Sequence, residues 1–143
     1  MVDQTVLLIS TTTLIVELLV ISLLFFSYYL KRRKMYRQHG ITNTTAVVLH
    51  LVTIVFVMVG SLMKFFNDTP IDIANVLHVA ALTHAALGII AASLGVWLVG
   101  AWHLQIDVQK CFTRKRVMLT AIYIWAVNFA IGIVLYIAVI TLA

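Results

Sequence analysis

Four runs of about 23 to 30 mainly apolar residues, joined by short polar links, leave this chain few ways to fold. A helix crosses the hydrocarbon core of a bilayer with about 20 apolar residues, whereas a barrel strand needs only about 10 alternating ones. In lipid, every backbone N–H and C=O must find a partner inside the protein, so runs of this length read as helices. The spans are placed at about 5–30, 44–66, 73–102 and 117–142. The expected fold is all-α: a polytopic membrane protein whose residues 1–143 form a single antiparallel four-helix transmembrane bundle. Composition agrees, because a chain that is 63% hydrophobic and 10% charged has too little polar surface to face water on its outside. With no separate soluble domain expected, chemistry is expected within the helices or at their ends.

The formal charge of +5 sits in two clusters, Lys31, Arg32, Arg33, Lys34 and Arg37, then Lys110, Arg114, Lys115 and Arg116. In a soluble protein such clusters suggest nucleic acid. Here they read as topology and anionic-lipid signals, and no nucleic-acid partner is expected. They place both basic links in the cytoplasm, and both termini and the 67–72 turn outside a cell membrane. The first run is followed, not preceded, by positive charge, so it reads as a retained helix rather than a cleaved signal peptide. Cys111 is the sole cysteine, which excludes an internal disulfide and a multi-thiolate metal site.

Helical spacing sorts the polar residues within the spans into stripes. Ser10, Thr13 and Glu17 share a face of the first helix, and Ala46, His50, Thr53, Val57, Gly60 and Lys64 a face of the second. On the third, Ala80, His84, Gly88 and Ala92 step by four and Ala81, Gly88 and Gly95 by seven. On the fourth, Ala121, Trp125, Asn128 and Gly132 line up, with Tyr136 beside them. An ionisable side chain at the bilayer centre costs from about 2.5 to over 10 kcal/mol, so Glu17, His50 and His84 are expected to face inward. Small residues on the third helix allow close approach of a neighbour.

Glu17, His84 and Asn128 fall within roughly 6 Å of one another in depth, and His50 lies roughly 7 Å to the cytoplasmic side of the bilayer centre, at about 1.5 Å of rise per residue. His50 and His84 are candidate metal ligands and Glu17 and Asn128 their supporting residues. The pair could ligate one haem b iron from two helices, flank a quinone, or hold a metal with Glu17. A purely structural part is the competing reading, in which Glu17 bonds Lys64 or, preferably, His84 and fixes helix register. His78 reads as interfacial, and His39 and His103 as solvated residues near the basic clusters. No Gly-x-Ser-x-Gly elbow or phosphate-cradling glycine loop is present, and an enzyme is not the favoured reading.

The sequence resembles the YozB-like or CtaM-like family of four-helix membrane proteins, through His39, the run Leu82-Thr83-His84-Ala85-Ala86-Leu87-Gly88, Gly95, the basic link, and Trp125, Gly132 and Tyr136. The resemblance implies a part in maturation of haem-copper terminal oxidases. Two positions depart from it: Arg114 stands where a histidine and basic residue often precede the last helix, and Gly40, not a basic residue, follows His39. Two functions are expected, the first from the inward polar cluster and the second from the small-residue seams at Ala81, Gly88, Gly95 and Gly132, the minimal loops and the small size. One is a small protein of respiratory or oxidase-type membranes that binds or handles a haem or metal cofactor in its bundle, or assists oxidase maturation. The other is a non-catalytic accessory subunit packed against larger subunits of a membrane oxidase or monooxygenase complex.

Overall fold

The computed structural model describes residues 4–68, 75–103 and 114–141, with the side chains of residues 5–6, 64–68 and 139 outside that description. These residues form α1 (Gln4–Arg32), α2 (Tyr36–Thr53), a π-helical segment (Ile54–Met58), α3 (Val59–Asp68), α4 (Val76–His103) and α5 (Lys115–Thr141). α2, the π segment and α3 run on as one rod. The chain is therefore an all-α bundle of four rods, each long and apolar enough to cross a membrane. The 67–72 turn, most of the 103–116 link and Cys111 lie outside the described residues. So does the side chain of Lys64.

Successive rods are antiparallel, with α1 most extensively packed on α2 and α4 on α5; contacts of α1 with α5 and of α2 with α4 close the ring. The described cationic side chains at 31–37 and 114–116 consequently gather at one end, here the basic end. A small core of Val20, Ala46, Val47, Ala91 and Trp125 fills the middle. Leu8, Phe25, Phe56 and Tyr123 are 65–80% exposed on the outside, a surface suited to lipid tails. Because lipid is as apolar as leucine, close packing and polar bonds must hold the rods together. Gly95 shows the packing: a Cβ there would lie 3.0 Å from Val47 Cγ2 and 3.4 Å from Trp125 Cζ3.

The first two rods meet in a tighter turn than the sequence suggests. Lys34 adopts a left-handed φ of 60°. Its N–H bonds Lys31 O at 3.0 Å, and that of Met35 bonds Leu30 O at 3.1 Å. This is the Schellman pattern that closes a helix C-terminus. The second rod then starts at Tyr36, eight residues before the expected 44, since the hydroxyls of Thr42, Thr44 and Thr45 donate to carbonyls four residues back at 2.8–3.0 Å. A polar stretch that resembles a loop is thereby satisfied within a helix.

The π segment corrects a second expectation. Ala46, His50 and Thr53 are buried as one stripe, but Gly60 is exposed and a Cβ on it would meet nothing within 4 Å. A π turn inserts one residue, rotating the rest of the rod by about 100° and breaking the stripe.

Candidate functional site

Glu17 is brought inward by the face of α1 that also buries Val20 and Ser27. His50 Nδ1–H donates to Glu17 Oε1 at 2.7 Å, with the imidazole wholly buried and the Glu17 side chain 12% exposed. The expected partner was His84. It bonds elsewhere: His84 Nδ1–H donates to the Asn128 carbonyl at 3.1 Å. Gly132 makes room for that bond, since a Cβ there would stand 3.0 Å from His84 Cε1.

Glu17, His84 and Asn128 border one cavity of about 290 Å³ in the half of the bundle away from the basic end. Ser10, Thr13, Ser61 and Tyr136 add hydroxyls to its lining, and Phe129 and Leu135 add apolar wall. Tyr136 O–H also reaches Thr11 Oγ1 at 3.0 Å, and Thr11 gives its own proton to Leu7 O at 2.8 Å. His50 is absent from the lining. Its ring packs on Trp125 at 4.5 Å between centroids and 52° between planes. Among the described residues, three buried polar atoms here have no hydrogen-bond partner: His50 Nε2, Trp125 Nε1 and Asn128 Oδ1.

All four expected site residues thus occupy one region, with altered roles. His50 holds Glu17, and the Asn128 backbone holds His84. A haem ligated by both histidines would need them to face each other across a common slot. His50 is enclosed beside Trp125 while His84 borders the cavity, so these residues do not fit that group. A single metal ion suits the donors better, since imidazole with carboxylate binds iron, copper or zinc. Among the described residues no three His, Cys, Asp or Glu side chains converge.

The basic end holds a feature that the sequence reading missed. His39, expected to be solvated, is 5% exposed, and Ser27 is 1% exposed. His39 Nδ1–H donates to Ser27 O at 2.8 Å with Ser27 Oγ also 2.7 Å away, and Ser27 O–H donates to His39 O at 3.1 Å. The other ring nitrogen, Nε2, accepts a longer 3.3 Å bond from Asn43 Nδ2. Gly40 lies flat against the indole of Trp102, in space that a Cβ would have to share. His103 is exposed at the end of α4, edge-on to Trp102 at 4.7 Å. A second cavity of about 620 Å³ opens here between all four rods. The equal distances of Ser27 and His39 from Arg33, six residues either way, are the signal that could have paired them.

The chain matches no family model, no curated protein and no solved structure.

Proposed function

We propose that this chain is a metal-handling protein of a respiratory or oxidase-type membrane system, taking a late first-row transition-metal ion as cargo between Glu17 and His84. One observation carries the reading. The two cavity-lining donors are each held from behind, Glu17 by His50 at 2.7 Å and His84 by the Asn128 carbonyl at 3.1 Å. Hydrogen bonds from behind orient both ligands, the one His84 donates also raises the basicity of its free nitrogen, and loss of such support costs about 10- to 100-fold in metal affinity. The Nδ1–H bond fixes the His84 tautomer and leaves Nε2 as the donor nitrogen. Two strong protein ligands with hydroxyls around them leave coordination positions open. That suits an ion in transit rather than a permanently sequestered one.

Two pairs of the residues that carry the oxidase-maturation resemblance pack together, which supports this reading. His84 packs on Gly132, Gly95 faces Trp125, and Tyr136 borders the cavity. The bias of Lys and Arg towards the cytoplasm puts the basic end inside and the cavity in the outer half, with both termini outside. A membrane-impermeant thiol reagent should then spare Cys111 in intact cells and label it after lysis.

The test is titration of the purified protein in detergent with Co(II) and Cu(II), followed by ligand-field absorption and electron paramagnetic resonance. One equivalent should bind with nitrogen coordination. His84→Ala should abolish the signal, and His50→Phe should weaken binding about 10- to 100-fold while leaving the protein folded. Absence of saturable binding, or binding indifferent to His84→Ala, overturns the proposal. Co-migration with a larger complex under those conditions would then favour the accessory-subunit reading.

A further inference from the structure

The cavity at the basic end is chemically unlike the one just described. At about 620 Å³ it lies within the 300–1,000 Å³ range of small-molecule and cofactor sites. It reaches from Lys31, Arg37, Arg114 and Lys115 at the rim to Gly95 and Trp125 in the middle of the bundle. The only carboxylate whose side chain is described, Glu17, lies near the middle of the bundle and borders the other cavity. Such a space selects a ligand with a large apolar body and at least two negative charges at one edge.

His39 narrows the choice. It lines the cavity, is nearly inaccessible to solvent, and gives its Nδ1 proton to the backbone of Ser27. That bond fixes the tautomer whose Nε2 carries the lone pair. Only the long 3.3 Å contact from Asn43, a rotatable amide that also borders the cavity, covers Nε2. A backbone carbonyl behind Nδ1 is the usual support of a metal-bound histidine. An anionic phospholipid would satisfy the cations and the apolar walls. It would leave this oriented imidazole without purpose.

We infer that the basic-end cavity is a site for an iron porphyrin, with His39 Nε2 as axial ligand and Lys31, Arg37, Arg114 and Lys115 facing the propionates. Asn43 turns aside when iron binds. Ser27 acts as a positioning residue, setting the plane and basicity of His39 without touching the ligand. Trp102, held against Gly40, provides a flat apolar wall. This site is independent of Glu17 and His84, so its failure and that of the metal-handling site are separately visible.

The experiment titrates the full chain in detergent micelles with hemin, and in parallel with metal-free protoporphyrin IX. Hemin should bind one-to-one with a red-shifted Soret band and, after reduction, an iron–histidine stretch in the resonance Raman spectrum. Metal-free protoporphyrin should bind at least about 10-fold more weakly, a comparison made on unaltered protein and so independent of any folding defect. His39→Ala should remove the iron–histidine stretch. Ser27→Ala keeps the backbone carbonyl that accepts the Nδ1 proton but removes the hydroxyl 2.7 Å from Nδ1, so it should retain the stretch at shifted frequency, a change that a merely structural serine would not cause. Arg37→Glu should weaken hemin binding, and His84→Ala should leave it unchanged. Equal affinity for hemin and metal-free porphyrin, or an iron–histidine stretch that survives in His39→Ala, overturns the inference. Displacement of hemin by phosphatidylglycerol with no change in the His39→Ala variant would assign the cavity to lipid instead.

Discussion

The bond between His50 and Glu17 joins the first two rods near the middle of the bundle, and its worth can be bounded. Hydrogen bonds between membrane helices average about 0.6 kcal/mol and reach about 1.7. This one belongs at the upper end: it is 2.7 Å long, one partner is wholly buried, and the acceptor is a carboxyl group. Glu17→Ala also leaves both nitrogens of a buried imidazole without partners, because His50 Nε2 has none already. An unsatisfied buried polar group costs about 1–3 kcal/mol, so Glu17→Ala should destabilise the bundle by about 2–3 kcal/mol. His50→Phe keeps a ring against Trp125 and strands only Glu17, which borders a cavity, so it should cost less. A double-mutant cycle on these substitutions, measured by unfolding equilibria in bicelles, should give a coupling of about 1.5 kcal/mol. Glu17→Gln, which can still accept the His50 proton, should lose under about 1 kcal/mol. A coupling below about 0.5 kcal/mol would refute the reasoning and reduce the pair to a coincidence of packing.

Two further outcomes are set by local geometry. Gly40→Ala drives a methyl group into the Trp102 indole and should cost about 1–3 kcal/mol in the same assay, with part of the loss recovered in a Gly40→Ala/Trp102→Ala double variant. Lys34→Gly removes a side chain from a left-handed position that penalises L-residues by about 1–2 kcal/mol; after glycine's greater unfolded-state entropy is subtracted, the unfolding free energy should rise by about 0.5–1 kcal/mol. A fall would mean that the Lys34 side chain itself makes a stabilising contact.

The four rods were legible because apolar runs and terminal charges are properties of composition along the chain. The inward faces of α4 and α5 were legible too, since each is an unbroken α-helix in which three- and four-residue spacing persists from Ala80 to Gly95 and from Ala121 to Gly132. The Glu17 partner was not legible, and the cause is a helix boundary. With the second rod starting at 44, His50 falls five residues from its centre; with the observed rod it falls two residues away, a change of about 4–5 Å in depth. That brings it level with Glu17 and leaves His84 on a different turn. His39 was misjudged for the same reason. Placed in a link it looks solvated, whereas on the first turns of α2 it packs against Ser27. The break of the second rod's stripe at Ile54 has no counterpart in the residues themselves, which are ordinary apolar side chains compatible with either kind of turn.

The π segment also forms part of the wall of the smaller cavity, through Val57 and Met58. An α-helix offers such a wall one fixed outline. A π turn is a dislocation: one surplus residue that can be handed along the rod by exchanging one carbonyl partner for the next. Each step turns the intervening side chain by about 100° and leaves the rod continuous on both sides. The outline that Val57, Met58 and Ser61 together give the wall beside Glu17 and His84 is therefore set by where along the rod that surplus residue sits.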